Sequence, residues 1–587
     1  MLKTDLKIIV LVFFLFVVDQ LAFAQEHSEK ELPELNDPKV RNRLSWDLVK
    51  PDIGVGFGSV NTHYEKSSAP SIADLQPTWE KRAWKGERIH TQLVLYSKKS
   101  LSNVELQVSD LKRKDSNKKI GNNNIKANFV RYVMTSDLGD LKQGCDIRIK
   151  LDSSLRADII DDAAVYNIAD STTRPIWLSI NISRDTEAGV YRGALIVKAT
   201  GYKQRLPFEI TVLEHILPDS KKWSFHLDLW QNPYSDARVA GVKLWSKAHF
   251  DVMKPVYERL ASAGQKVITS TLIHDPWKSQ TYDVYGGMIK WIKQKDGNWR
   301  YDFDVFDRWV EFMISLGIDK QINAYGMIPW TLEFTYYDEA TRENKLFKAS
   351  PESIEYAAYW RRMLSAFATH LKHKGWFEKT MIAMDERPSA HMQAAIKVIK
   401  EADPNFKISM AGNYHEELQA YLTDYCISST NRMPFDVVKE RREKGFISTF
   451  YTSCTEIFPN TFTSSEYADL AWLPWHALYN NFDGYLRWDY NNWNANPTQD
   501  SRYSVFPAGD CFFVYPGNRT SIRFERLREG IQDFEKVQVL RHQFEKNGDQ
   551  DKLRRLQQII GTFKIESLDQ TNAHYFVDKA QQELNTF

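Results

Sequence analysis

Short runs in which apolar and polar residues alternate dominate the chain from about Trp79 to Leu213. Turn-forming residues separate these runs, as in the DTEAG segment at residues 185–189. Short strands between frequent turns, without a helical period, predict a β-sandwich. Because this segment holds no concentrated cluster of acids, bases or metal ligands, we interpret it as an accessory domain. Its clearest strand patterns are IHTQLVLYS from Ile89, VELQVSDL from Val104, PIWLSINIS from Pro175 and YRGALIVKA from Tyr191.

The pattern changes at HILPDSKK, residues 215–222, where Pro218 and charged residues interrupt the strand pattern. Beyond this point, apolar runs alternate with amphipathic segments over roughly 270 residues, which is typical of a (β/α)8, TIM-like barrel. The runs that predict its strands are SFHLDLW from Ser224, VITSTLIH from Val267, QINAYGM from Gln321, MIAMDE from Met381, KISMAG from Lys407, YCISST from Tyr425, ISTFYTS from Ile447 and GYLRWDY from Gly484.

Helix signals lie between and beyond these runs. One helix is predicted to begin with Ser350 as its N-cap and Pro351 as its first residue, and to end at Gly375. After the barrel, SVFPAGDCFFVYPG from Ser504 predicts a short hairpin. A helical C-terminal extension then begins with a long amphipathic helix. Its apolar face is formed by Phe524, Leu527, Ile531, Phe534 and Val537.

These patterns predict three parts: a signal peptide, an N-terminal β-sandwich, and a catalytic barrel with a C-terminal hairpin and helices. Their predicted bounds are residues 1–24, 25–217 and 218–587. Lys3 and Lys7 flank the start of the apolar run IIVLVFFLFVV, and a small-x-small pattern ends at Ala24, as in a secretory signal. The run is well short of a membrane-spanning helix. We therefore expect cleavage after Ala24, no transmembrane segment afterwards, and a periplasmic or secreted protein.

Composition narrows the classes of function. The formal net charge is +1 and the charges are interleaved, which argues against a nucleic-acid-binding surface. The 18 Trp residues suit a protein that stacks on sugar faces. His226, His274 and Asp275 lack metal-ligand spacing, so we predict neither a metal nor another cofactor. An oxidising compartment would allow one disulfide bond among the widely spaced cysteines. These are Cys145, Cys426, Cys454 and Cys511.

The most informative polar residues end the predicted fourth barrel strand, where MIAMDERP places Asp385 and Glu386 side by side. Active sites of such barrels form at the C-terminal ends of the strands. Adjacent side chains diverge along a regular strand. One of the two acids must therefore lie where the backbone bends if both are to reach a pocket. The structural alternative is a loop pair of acids that forms a salt bridge with Arg387.

Glycoside hydrolysis requires a proton donor and stabilisation of the anomeric carbon. A carboxyl beside a second carboxylate in a partly dry cleft gains proton affinity, which suits Glu386 as the general acid. Asp385 is expected to stay ionised, but it lies too close in sequence to attack easily from the opposite sugar face. The pair fits a scheme in which the substrate's 2-acetamido oxygen attacks. Asp385 would orient the acetamido group, and Glu386 would protonate the leaving group and later activate water.

Four segments closely resemble glycoside hydrolase family 123: MIAMDERP, GYLRWDYNNW from Gly484, PAGDCFFVYPG from Pro507 and SIRFERLREGIQDFEKV from Ser521. PIWLSINIS and DTEAGVYRG resemble that family's N-terminal domain. The resemblance covers nearly all of the chain after the predicted signal peptide. It implies a retaining exo-β-N-acetylgalactosaminidase that releases terminal β-linked GalNAc by substrate-assisted catalysis. It also places the family's paired acids on Asp385 and Glu386, in the roles given above.

Further candidates to bind the glycan lie near the ends of the predicted strands. Tyr451 ends the seventh strand and is a candidate donor to the acetamido oxygen, or else a core tyrosine. Trp488 and Trp472 are candidate walls of the acetamido pocket, or plain packing residues. Arg487 and Asp489 flank Trp488, and one of them is a candidate to bind sugar hydroxyls while the other pairs structurally.

Three more polar residues are candidate ligands of sugar hydroxyls. Asn413 and His415 follow the fifth strand, and Asp228 ends the first. For His415 the alternative is a capped loop residue, and for Asp228 it is a residue that holds a loop.

Two other hypotheses remain open. One keeps the fold but uses a conventional carboxylate nucleophile, such as Asp489 or Glu456, on a different sugar. The other is a non-catalytic glycan-binding protein, which the retained acid pair and surrounding aromatic residues disfavour. The preference for GalNAc or GlcNAc depends on which groups face the 4-hydroxyl.

Overall fold

A computed structural model describes residues 33–39, 43–138, 151–278, 280–456 and 458–587. The predicted signal peptide lies outside these ranges. The predicted fold class is confirmed: a β-rich N-terminal part precedes an eight-stranded parallel barrel, and helices follow. Within the described part of the chain, no helix has the length and apolar character needed to cross a membrane.

The N-terminal part is a sandwich of two sheets with an apolar core that includes Leu93, Ile176 and Leu195. In spatial order, the first sheet contains Ile53–Gly58, Arg88–Ser97, Thr172–Asn181, Ile125–Ser136, Ser153–Ile160 and Thr520–Ser521. The second contains Trp79–Lys85, Tyr202–Ile216, Gly189–Ala199, Leu101–Val108 and Val165–Ile168, with Leu111–Arg113 and Lys119–Ile120 at its side.

All eight runs that predicted barrel strands are strands. They are His226–Leu229, Val267–Thr271, Gln321–Tyr325, Thr380–Met384, Lys407–Gly412, Asp424–Ser428, Ile447–Tyr451 and Gly484–Arg487. The eighth strand pairs in parallel with the first. Gly484 permits this pairing, because a Cβ there would lie 2.0 Å from the carbonyl oxygen of His226. Leu227 of the first strand forms an isolated bridge with Gln265, just before the second strand, so the barrel is nearly closed.

One short helix, the first of those that follow, packs against the sandwich, and the others surround the barrel or extend beyond it. The helices are Arg43–Asp47, Pro233–Ala240, Lys247–Ser262, Asp304–Ser315, Ile354–Lys374, Ser389–Ala402, Phe435–Glu443, Tyr467–Tyr479, Ile522–Asn547, Gln550–Ile560 and Ala573–Leu584. Segments between the second and third strands and after the third form a small additional sheet, which the sequence patterns did not predict. Its strands, in spatial order, are Trp299–Asp302, Lys290–Lys293, Glu333–Asp338 and Glu343–Lys348.

Two local predictions need correction. The helix predicted from Ser350 begins one turn later, because Ser353 is its N-cap and accepts a bond from the backbone N–H of Tyr356. Its predicted end is correct, since Gly375 adopts a left-handed conformation with φ 70°. The hairpin predicted from Ser504 is absent: residues 504–519 form an irregular segment joined by isolated bridges. Pro507 lacks the N–H needed for a regular ladder.

The long helix Ile522–Asn547 joins the barrel to the sandwich. Its buried charged side chains pair across the interface: Glu525 with Arg88 at 2.8 Å, and Lys536 with Glu87 at 2.6 Å. The preceding residues Thr520–Ser521 pair with strand Ser153–Ile160 and so extend a sandwich sheet. The sandwich and the C-terminal segment therefore share one interface.

Candidate active site

The paired acids follow directly after the fourth barrel strand. Thr380–Met384 is buried throughout, as expected for a strand covered on both faces. Pro388 is the N-cap of the next helix, Ser389–Ala402. The loop between them is so short that Asp385 and Glu386 are confined to the C-terminal mouth of the barrel.

Both acids line a cavity of about 140 Å³ at this mouth. Its wall combines aromatic rings with three carboxylates, a combination that suits a small ligand with polar groups. The aromatic residues are Trp230, Trp277, Trp330, Tyr451, Trp488 and Phe506, and the carboxylates are Asp385, Glu386 and Asp510.

Asp385 is held from two sides. Its Oδ2 accepts a hydrogen bond of 2.8 Å from Trp277 Nε1, and its Oδ1 lies 2.9 Å from Arg387 Nη2. Burial raises the pKa of Asp385, and Arg387 and Trp277 offset part of that rise. The salt bridge with Arg387 was the structural alternative for this acid. In the structure Asp385 both forms the salt bridge and faces the cavity.

Glu386 has a different environment. It is exposed toward the cavity, and its Oε1 accepts a hydrogen bond from the Tyr451 hydroxyl. Burial and the neighbouring Glu386 raise the pKa of Tyr451 well above its ordinary value, so this hydroxyl remains a donor. The partly dry surroundings predicted for Glu386 are instead found around Asp385. The Tyr451 hydroxyl, predicted to serve the substrate, contacts Glu386 in the structure.

Asp510 is a lining residue that the sequence reasoning missed. It accepts hydrogen bonds from Arg487 Nη2 and, at 2.9 Å, from Trp488 Nε1. Arg487 is fully buried and also donates to the carbonyl of Thr452, so it supports Asp510 and does not itself line the cavity. Burial raises the pKa of Asp510, and Arg487 lowers it in part. Trp488 lines the cavity as predicted and packs on Phe506.

The other carboxylates considered from sequence do not line the cavity. Asp489 is fully buried and accepts a long bond of 3.5 Å from the Tyr285 hydroxyl. Asp228 lies inside the barrel, where Asn323 Nδ2 is 3.5 Å away. Burial and the negative charge of Asp424 raise the pKa of Asp228 to about 7. Asp228 therefore belongs to the barrel interior.

Glu456 accepts hydrogen bonds from its own loop, including one of 3.1 Å from the backbone N–H of Ser453. It does not line the cavity either. Neither of the two conventional nucleophiles considered, Asp489 and Glu456, therefore lines this cavity.

Three predicted ligands lie away from the cavity wall. Asn413 is exposed and accepts a bond of 3.0 Å from Asn431 Nδ2, and His415 Nδ1 lies 3.7 Å from Glu417 Oε1. Trp472, a candidate wall of the acetamido pocket, does not line the cavity. It is fully buried in helix Tyr467–Tyr479 and stacks on His476, because this helix packs against the long C-terminal helix outside the barrel.

The tryptophans that follow the first three strands were also missed. Trp230 and Trp277 are almost fully buried in the cavity wall, whereas Trp330 is 49% exposed at its rim. Their position just beyond strand ends was the available signal. Across the described ranges, no three or more His, Cys, Asp or Glu side chains are grouped as potential metal ligands.

The family of this chain follows from comparisons with known proteins. The model of the glycoside hydrolase 123 catalytic domain matches residues 230–540, and that of the glycoside hydrolase 123 N-terminal domain matches residues 57–199. The chain belongs to glycoside hydrolase family 123. It is therefore a glycoside hydrolase whose substrate is a glycan.

A solved family 123 glycoside hydrolase from Clostridium perfringens, described in a study of glycolipid glycan hydrolysis, is similar over most of its length. It is 26% identical, with a TM-score of 0.82, and the match covers 91% of this chain and 98% of that one. A GH10 xylanase with a bacterial Ig-like domain, from termite gut, is 10% identical over 78% of this chain and 100% of its own. Its TM-score of 0.28 is too low to indicate a shared fold. No curated protein matches the chain.

Proposed function

We propose that the enzyme is a retaining exo-β-N-acetylgalactosaminidase that hydrolyses terminal β-linked GalNAc by substrate-assisted catalysis. The observation that carries this proposal is that two adjacent acids in one small cavity differ in their contacts and exposure. Asp385 is fixed by Trp277 and Arg387, while Glu386 is exposed and bonded to Tyr451. A fixed carboxylate suits an orienting role, and an accessible one suits proton transfer.

In the first step, Glu386 donates its proton to the departing glycosidic oxygen. The acetamido carbonyl oxygen attacks the anomeric carbon, and the bond to the leaving group breaks. Asp385 accepts the acetamido N–H and stabilises the positive oxazolinium ring. Glu386 then removes a proton from water, which attacks the same carbon and opens the ring. Two inversions retain the β configuration.

The cavity supports an internal nucleophile. Of the three carboxylates lining it, Asp510 is already bonded to Arg487 and Trp488, and Asp385 and Glu386 are neighbours in the chain. The substrate's own acetamido group avoids the entropy cost of a separate nucleophile. The volume of about 140 Å³ is below the roughly 300 Å³ at which pockets for larger ligands begin, which suits a single terminal sugar.

We also propose export through the predicted signal peptide at residues 1–24. Cys454, on the cavity wall, is disulfide-bonded, and disulfides persist in oxidising compartments. N-terminal sequencing of the mature protein tests this proposal. We expect its first residue to be Gln25, and an intact Met1 would contradict it.

The mechanism is tested by following an aryl β-GalNAc glycoside by NMR during early turnover. We expect the β anomer of GalNAc to appear first, and a GalNAc-derived thiazoline, which mimics the oxazoline ring, to inhibit competitively. First formation of the α anomer would contradict retention. Retention without thiazoline inhibition would favour a conventional nucleophile.

A further inference from the structure

Arg387 lies between the acid pair and the rim of the cavity, and each part of its guanidinium is engaged. Nη2 lies 2.9 Å from Asp385 Oδ1, Nη1 donates to the carbonyl of Glu386 at 2.6 Å, and Nε donates to the carbonyl of Ile328 at 2.8 Å. The flat face lies 4.0 Å from the ring centroid of Trp330. Backbone, carboxylate and aromatic contacts therefore fix one orientation.

The contact with Trp330 separates this salt bridge from bulk solvent. The Arg387 side chain is only 5% exposed, whereas Trp330 is 49% exposed. A charge pair shielded from water interacts more strongly than an exposed one. A planar guanidinium can also stack and donate in several directions at once, which the ammonium group of lysine cannot do.

We propose that Arg387 is a positioning residue for the hydrolytic reaction. It holds Asp385 in the orientation and negative charge needed to bind the acetamido group, and Trp330 covers the salt bridge. This inference rests on the proposed orienting role of Asp385. It adds a residue that acts through Asp385 and does not itself contact the reacting atoms.

The charges around Asp385 decide the sign of the effect. Arg387 and the indole N–H of Trp277 favour the ionised carboxylate, while burial and Glu386 disfavour it. Tyr325, which also faces Asp385, has a pKa raised well above its ordinary value and remains neutral. Without Arg387, the balance shifts toward the protonated acid. Activity that requires ionised Asp385 should then begin at a higher pH.

Arg238 provides a matched control. Its guanidinium lies 4.4 Å from the ring centroid of Tyr282, its Nε is 2.8 Å from Asp283, and its Nη2 donates to the carbonyl of Trp493 at 2.6 Å. It thus has the same kinds of contact as Arg387 but does not contact Asp385 or Glu386. Removing this arginine therefore measures how much activity is lost for structural reasons alone.

The test measures kcat and KM between pH 4 and 9 with an aryl β-GalNAc glycoside for Arg387→Met, Arg387→Lys and Arg238→Met. For Arg387→Met we expect kcat at pH 5 to fall about 100-fold, and the acid limb of kcat/KM to move up by about 1 pH unit. Raising the pH should recover part of the loss. Arg387→Lys should restore the wild-type position of the acid limb of kcat/KM but only part of kcat. Arg238→Met should leave the position of the acid limb unchanged.

An unchanged acid limb in Arg387→Met, or an equal shift in Arg238→Met, would overturn the proposal. Asp385→Asn separates this outcome from failure of the proposed function. If Asp385→Asn is inactive while Arg387→Met keeps the wild-type limb, only the role of Arg387 fails. If Asp385→Asn is fully active, the proposed function fails with it.

Discussion

Charged side chains in two regions of this molecule have different surroundings. At the interface between the long helix and the sandwich, Glu525 pairs with Arg88, and Lys536 contacts both Glu87 and Asp533. At the barrel mouth, Glu386 faces a cavity and accepts a hydrogen bond from a neutral tyrosine. The interface charges have ionic partners, whereas the Glu386 carboxylate can still accept hydrogen bonds from a substrate.

We propose that this difference distinguishes structural from catalytic acids, which sequence alone does not. Removing one partner of a buried ion pair leaves an uncompensated charge and lowers stability. Removing an acid that faces a cavity should instead affect turnover. The two regions therefore predict opposite patterns of stability and activity.

The largest expected effect is on turnover. Glu386→Gln should lower kcat/KM toward a glycan substrate about 10²–10⁴-fold, because the leaving group loses its proton donor. Steady-state kinetics and the unfolding temperature should be measured together. Glu417→Gln, an exposed carboxylate on the loop after the fifth strand, is the control and should keep wild-type activity. Normal cleavage by Glu386→Gln would contradict its assigned role.

The opposite pattern is expected at the interface. Glu525→Gln should lower the free energy of unfolding by about 3 kcal/mol, because Arg88 loses its buried partner. Turnover per folded molecule should change little. Glu566→Gln, which breaks the exposed pair with Arg432, should have no measurable effect on stability. Loss of turnover without loss of stability in Glu525→Gln would contradict the comparison.

The pH dependence of this stability has a defined sign. Burial alone would raise the pKa of Glu525, but Arg88 and Arg528 lower it from 4.5 to about 2. A lowered folded-state pKa gives stability that is complete above about 4.5 and is lost as the pH falls toward 2. The difference between wild type and Glu525→Gln, measured by thermal unfolding, should therefore shrink between pH 5 and pH 3. A constant difference would contradict this account.

A smaller effect on turnover is expected from the hydroxyl beside Glu386. Tyr451→Phe should lower kcat about 10-fold, because a hydrogen bond to the acid is lost while the ring still fills the wall. Tyr425→Phe is the control, since its hydroxyl donates to the carbonyl of Asn413 and accepts from the backbone N–H of His415. If both variants lose activity equally, the contact between Tyr451 and Glu386 has no special role.

The smallest expected effect lies inside the barrel. Because the folded-state pKa of Asp228 is raised from 3.8 to about 7, its ionisation lowers stability as the pH rises through that interval. Asp228→Asn should therefore raise the unfolding temperature at pH 8 by about 2 °C, with a smaller difference at pH 5. A difference that is larger at pH 5 would contradict this interpretation.

The eight barrel strands and the place of the acid pair could be predicted, because buried parallel strands form continuous apolar runs and Asp385 ends one abruptly. Tyr451 and Trp488 of the cavity wall were also candidates from sequence, but other lining residues were not. Trp277, Trp330 and Asp510 come from long loops, whose paths depend on tertiary contacts. Trp472 was misplaced because a buried tryptophan in an outer helix and one in a pocket have the same local sequence signal.

The central claim, that the substrate supplies the nucleophile, is tested most directly by comparing aryl β-glycosides of GalNAc, GlcNAc and galactose. With one leaving group, kcat/KM for the galactoside should be lower than for the GalNAc glycoside by at least about 10⁴-fold, because the internal nucleophile is absent. The GlcNAc glycoside retains the acetamido group and reports only the preference at the 4-hydroxyl. Comparable rates for the galactoside and the GalNAc glycoside would contradict the account.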